Sequence, residues 1–248
     1  MYDKATRAER CIERAGWCAV SLLVVVGIVS ALSLYVPGSV LPAWLTHLLA
    51  RLYGPEYQRE QLPRFAQYPW HTGFHAIPGI LFLLVGLCQF VRRIRTSWMR
   101  LHRWLGRLYL LCGVLLALAA LAIVLKFPFA GWQEVVPTVV FASLFLWSLA
   151  KAYYHVRVGE IAQHREWMIR SFTIGVGIGA IRIIFDLLMA STTRSAQANV
   201  VLSFWLGWCL HLVIAEAWIR WTRSASRVTV SRLWLETVTV QRNRSQVS

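Results

Sequence analysis

Apolar residues fall into six long, nearly unbroken stretches, covering residues 16–36, 72–91, 105–125, 135–156, 171–190 and 200–219. A helix needs about 20 apolar residues to cross the hydrocarbon core of a bilayer. In lipid every backbone polar group must be satisfied internally, so a spanning segment is a helix or part of a closed barrel. Each stretch has helical length and none alternates with period two. The pattern therefore predicts an all-α fold, a polytopic membrane helical bundle of six transmembrane helices. The first stretch follows Lys4, Arg7, Arg10 and Arg14, as a signal peptide's core would. Its apolar run is too long for that role, and no small-residue cleavage site follows Tyr35. It reads as a retained first span.

Two segments depart from the pattern. Residues 37–70 contain Pro37, Pro42, Pro55, Pro63 and Pro69, so they cannot form one continuous helix. Within them Ala43, Trp44, Leu48, Leu49 and Leu52 share a helical face that leaves out His47 and Arg51. That predicts a short interfacial helix on the outer leaflet. After the sixth span, Val228, Val230, Arg232, Trp234, Glu236, Val238 and Val240 alternate with Thr229, Ser231, Leu233, Leu235, Thr237 and Thr239. A two-residue period rich in Val and Thr predicts a strand. An isolated strand is marginal in water. Pairing with a second protomer in a homodimer, lying on the membrane, and having no fixed structure all stay open.

Charge fixes the expected orientation. Of 26 Lys and Arg, twenty lie in the N-terminus, in 92–107, in 151–170 and in the tail from Arg220. Five lie on the other side (Arg51, Arg59, Arg64, Lys126 and Arg194), and Arg182 is within the fifth span. This bias puts both termini in the cytoplasm. The chain divides into a basic cytoplasmic N-terminus (1–15), a six-span membrane domain (16–219) and a basic cytoplasmic tail (220–248). Helical spans rather than barrel strands indicate a bacterial inner membrane. The net charge of +15 then reads as a topology device, with the lipid bilayer and its anionic headgroups as partners. The cations are split among four short segments, which argues against nucleic acid. Composition agrees with the membrane reading: charged residues are 15% of the chain, against about 25% in soluble domains. Cys11, Cys18, Cys88, Cys112 and Cys209 form no CxxC and read as small apolar residues. Walker, GxSxG, HExxH and dinucleotide-binding motifs are absent.

Two basic segments end alike. One reads Leu101-His102-Arg103-Trp104-Leu105-Gly106-Arg107 before span three, the other Gln163-His164-Arg165-Glu166-Trp167-Met168-Ile169-Arg170 before span five. Spans two–three and four–five therefore look like two similar helical hairpins. With His75-Ala-Ile-Pro-Gly79, Gly86-Leu-Cys-Gln89-Phe90, Tyr109, Ser171 and Arg182, these residues resemble the domain of unknown function 2306 family of prokaryotic multi-pass membrane proteins. The resemblance covers about 70–190 and implies a membrane bundle without implying an activity.

Intramembrane ionisable groups are functional hypotheses by default. Arg182 and Asp186 are four apart on one face of span five and either neutralise each other or form a ligand or proton site. His211 is a third such group. Gly175 and Gly179 lie near the same face and let a helix or flat ligand approach closely. His71 and His75 share a face at the outer end of span two. With Asp186 they form a candidate metal set, the reading that suits a metal-dependent membrane hydrolase. His102 and His164 are candidate axial ligands of one b-type haem, with Arg103 and Arg165 meeting acidic groups and His75 with Arg182 lining an outer site. The arrangement is similar to four-helix cytochromes of the cytochrome b561 kind. Those carry His at two depths, whereas no span here has two His separated by most of its length, so one haem is expected rather than two. The leading expectation is a redox protein binding one b-type haem or a quinone between helices two to five. A small-molecule or proton-coupled transporter, motivated by the hairpins and the Arg182–Asp186 pair, is the alternative, and a structural or assembly role is compatible with the same residues.

Overall fold

The computed structural model describes the backbone of residues 2–33 and 67–245, and side chains for 11–32 and 67–223. Seven helices lie among these residues: α1 (Tyr2–Ser33), α2 (Pro69–Phe90), α3 (Arg92–Ser97), α4 (Met99–Lys126), α5 (Trp132–Arg157), α6 (Ile161–Ser191) and α7 (Ala196–Ser245). All but α3 are long and apolar enough to cross a membrane, so the six-span helical bundle read from the apolar stretches is the architecture. Exposed Trp70 and Trp132 sit at one end of the bundle, and exposed Trp98 and Trp104 at the other. Indole rings favour the two membrane–water interfaces. Between these belts, Leu111, Leu118, Leu187 and Val213 turn outward, as lipid-facing residues do. The expected interfacial helix within 37–70 lies outside the described residues.

The two hairpins are α2–α4 and α5–α6. The short α3 fills the connection of the first. The second turns through three residues. There the Gly159 N–H bonds the Val156 carbonyl and the Glu160 N–H bonds the His155 carbonyl. This double closure requires a left-handed residue, and Gly159 supplies it at φ 82°. Helices α2, α4, α5 and α6 form a four-helix ring in which α4 and α6 are diagonal, while α1 and α7 pack on its α6 side. Helix α6 touches α1, α2, α5 and α7, so it is buried around most of its circumference and shows little amphipathicity.

Packing within the ring is interlocked through glycine. Phe82 of α2 is fully buried and occupies the space a side chain at Gly175 of α6 would take. Reciprocally, Phe172 of α6 fills the space beside Gly86 of α2. A Cβ at Gly179 would run into the Leu23 carbonyl oxygen of α1. The Gly175/Gly179 face, read as open to a helix or a flat ligand, is thus largely taken by Phe82 and by α1. The stacked Phe82–Tyr109 pair, with ring centroids 4.3 Å apart, continues the core into α4.

Two expectations are corrected. Helices α4 and α6 begin at Met99 and Ile161, well before the apolar runs at 105 and 171, because long basic side chains keep their charge at the interface while the backbone stays helical. His102 and His164 are therefore helical and half-buried rather than in loops. The tail is helix, not strand: α7 runs 50 residues to Ser245. A helix nucleated by a packed span propagates cheaply, and no Gly or Pro interrupts the chain from Trp208 to Ser245. The strand-pairing argument for a homodimer goes with it.

Candidate functional site

The end bearing α3 and the Gly159 turn, rich in Arg, is the basic end of the bundle. A cavity of about 230 Å³ opens in the other half of the bundle, lined by residues of all six spanning helices. Its floor, toward the bundle centre, is apolar, with Leu83, Leu116, Phe145 and Trp208. The Trp208 indole N–H bonds the Ile174 carbonyl at 3.2 Å, which fixes the ring as a wall. Polar groups gather at the rim: Ser30, Thr72, His75, Glu134, Thr138 and Arg182. His75 and Arg182, expected to line one outer site, both line this cavity. The Leu116 backbone approaches the His75 ring, and His75 Nδ1 is buried with no hydrogen-bond partner. Buried polar atoms are nearly always satisfied, so such an atom calls for an explanation.

Glu134 is a rim residue that sequence reasoning missed. Its Oε2 accepts from the Phe129 and Ala130 N–H groups at 2.6 and 2.8 Å, tying down the turn that opens α5. A carboxylate in the first turn also suits the helix dipole. The only signal in the sequence was an acidic residue just ahead of a span.

His71 lies apart from the cavity lining. Its Nε2 is 3.5 Å from Lys126 Nζ and its ring meets the edges of Tyr68 and Phe127. Asp186 sits near Arg182 and outside the lining. Among the described residues no three His, Cys, Asp or Glu gather closely enough to hold a metal ion. The set His71, His75 and Asp186 is therefore not assembled, because one turn of helix sends His71 to α4's end and His75 into the bundle. His211 is buried, bonds the Gly207 carbonyl at 2.8 Å and packs on Gly177, which makes it a packing residue of α7.

At the basic end the two His-Arg sequences come together on the diagonal helices. His102 and His164 lie within electrostatic reach of each other, and Arg95 lies within reach of His102. His164 Nδ1 is 2.8 Å from the Ala152 carbonyl. A carbonyl only accepts, so Nδ1 carries the hydrogen and, in the neutral ring, Nε2 keeps its lone pair. His102 Nδ1 is buried without a hydrogen-bond partner. Arg165 bonds the Thr222 hydroxyl at 3.2 Å and lies near Arg95. Arg103 is exposed. The cation that α3 brings to His102 is Arg95, which sequence reasoning passed over because it counted as one of many topology charges.

Below the histidines the remaining motif residues bind helices together. Gln89 is buried and donates to the His102 carbonyl at 3.4 Å. Ser171 donates to the Met168 carbonyl at 3.0 Å, so its oxygen accepts from the fully buried Tyr109, 2.9 Å away across the diagonal. Glu166 is buried and takes both forks of Arg223, with Arg170 at 4.0 Å. Arg170 in turn grips Glu216 at 2.6 and 3.1 Å. No spacing in the sequence signals this ladder from α6 to α7, since its partners are 46 and 57 residues apart.

A family described as "Predicted membrane protein (DUF2306)" matches residues 73–219. The chain belongs to this family. The DUF2306 match spans more than half of the chain and runs on through the sixth span, further than the motif resemblance at 70–190 reached. It includes His75, His102, His164, Arg182, Glu134 and, from the ladder, Glu166, Arg170 and Glu216, and leaves out α1, His71, Arg223 and the tail. No curated protein and no solved structure matches the chain.

Proposed function

We propose that this DUF2306 protein is a membrane redox protein that holds one b-type haem at its basic end, with His102 and His164 as the ligands. The observation carrying the reading is that diagonal helices, one from each hairpin, bring two half-buried imidazoles within electrostatic reach of each other. Bundle cofactor sites are built from side chains on facing helices in this way. His164 is oriented by a backbone carbonyl through Nδ1, the usual outer support of a ligating imidazole. His102 carries a buried nitrogen that no protein group uses. Arg95 and Arg165 supply the cationic surroundings that carboxylate side chains of a haem require. Arg103, exposed, is assigned to headgroups. When bound, the haem supplies one-electron transfer. The chain's own residues supply ligands, positive charge and a support anchored by the Tyr109–Ser171 bond.

The same reading puts the basic end and both termini in the cytoplasm of a bacterial inner membrane, on the strength of the twenty-to-five division of Lys and Arg, with anionic headgroups against the basic segments. A quinone is the membrane-soluble redox partner considered for the opposite end. A small-molecule or proton-coupled transporter is the second reading, favoured by the cavity in the other half of the bundle and its Arg182. It requires flux through cofactor-free protein in proteoliposomes and loss of that flux in Arg182→Ala.

The test is a His102→Ala/His164→Ala double variant, purified beside the parent from haem-replete cells. The expected result is a folded, helical protein with no haem, beside a parent with about one per chain. A folded double variant retaining the parent's haem would overturn the ligand assignment.

A further inference from the structure

The haem reading leaves the cavity at the opposite end without a use, and its lining is specific enough to ask what would fill it. We propose that this cavity binds the ring of a membrane-soluble para-quinone or its quinol, with His75 and Arg182 as the partners of the two ring oxygens. The inference rests on the redox reading only for why such a ligand would be needed; the site itself is argued from its walls.

Size comes first. An apolar cavity of about 150 Å³ takes up benzene, and this one, at about 230 Å³, has room for a substituted six-membered ring. Shape is consistent with a flat guest. The lining takes aromatic rings from α5 and α7, Phe141, Phe145 and Trp208, and small residues from α2 and α4, Gly79 and Ala120. Polarity then selects among flat apolar molecules. The apolar floor excludes a hydrated ion or sugar. The rim offers hydrogen-bonding groups on separate helices, His75 on α2 and Arg182 on α6. A fatty acid has one polar end and would use one of them. A para-quinone has an oxygen at each end of its ring and uses both. A neutral imidazole donates at one nitrogen and accepts at the other, so His75 can serve the carbonyl or the hydroxyl form. Its buried, unpartnered Nδ1 marks it as a group prepared for a ligand.

The test is equilibrium dialysis of the full-length protein in detergent against a decyl-substituted benzoquinone, with bound quinone measured by extraction. The parent is expected to bind about one equivalent saturably above the linear micelle background. His75→Leu, which keeps the site apolar, should weaken binding about tenfold, the loss of one good hydrogen bond. Ala120→Trp, which fills the cavity from α4, should abolish saturable binding, and it decides the matter if the first variant does not fold. Uptake that stays linear in the parent, or is saturable and unchanged in a folded variant of either kind, overturns the proposal. So does equal displacement by laurate, which would assign the cavity to apolar carboxylates. A chain without haem that still binds quinone saturably removes the haem reading and leaves this one standing. A haem-containing chain with only linear uptake does the reverse.

Discussion

At the basic end, helices hold each other by directed polar bonds. Glu166, Arg170, Glu216 and Arg223 join α6 to α7, Tyr109 and Ser171 join α4 to α6, and Gln89 and His164 each reach a carbonyl on another helix. In the other half, helices meet through shape: Phe82 in the space at Gly175, Leu23 against Gly179, and a cavity where the packing stops short. The difference has a physical basis. Near the headgroups, charged groups stay partly hydrated and long side chains can snorkel, so ion pairs there are affordable. Deeper in the bundle, close van der Waals contact between small residues is the means of helix association in lipid. One end is therefore suited to fixing charged or ligating groups in register. The other is suited to enclosing an apolar guest between a few polar rim groups.

Substitutions can break this contrast, and the largest effect is expected at Glu166. Removing a buried carboxylate that two arginines use cuts the tie between α6 and α7 and leaves a gap in the buried face of α6, although Arg170 keeps Glu216 and Arg223 is half-exposed. Glu166→Ala should lower the thermal midpoint strongly and loosen the basic end, while quinone binding at the opposite end persists in the folded fraction. A midpoint equal to the parent's would show that the ladder is ornamental. Next comes Gly179→Ala. The new methyl meets a backbone carbonyl of α1 that cannot swing away, and overpacking of this kind costs about 1–3 kcal/mol. Thermal unfolding should report that loss, and a crosslink between α1 and α6 should form less readily. Tyr109→Phe removes one buried hydroxyl donor and should cost about 1 kcal/mol; unchanged stability would mean that Ser171 is satisfied by Met168 alone. His71→Ala is the smallest. Its ring lies against Lys126 and Phe127, away from both sites, so stability should change by less than about 0.5 kcal/mol. Haem content and quinone binding should also be unchanged, and loss of either would return His71 to the functional set.

Much of the bundle was legible in the chain because hydropathy over twenty residues is a strong signal. The two candidate sites were legible only in part. His102 and His164 stood out through their repeated His-Arg context, and His75 and Arg182 through burial in apolar runs. Their helical setting was harder to see, since basic residues at the starts of α4 and α6 look like loop. Arg95 was hidden among topology charges, and only the placement of α3 brings it within electrostatic reach of His102. Gly175 and Gly179 carry the spacing of a ligand groove, and only the positions of Phe82 and Leu23 show that the space is largely taken. Glu134 and Glu166 have partners that spacing cannot reveal. In the tail, alternating Val and Thr was a local signal, and the helix already formed by the sixth span overrides it.

The central claim is that two helix-borne histidines hold a haem at the basic end. The most direct measurement is the absorption spectrum of the purified protein, from cells with ample haem, oxidised and then reduced with dithionite. The account predicts a Soret band and sharp reduced α and β bands, at about one haem per chain. A featureless visible spectrum from folded protein would contradict it.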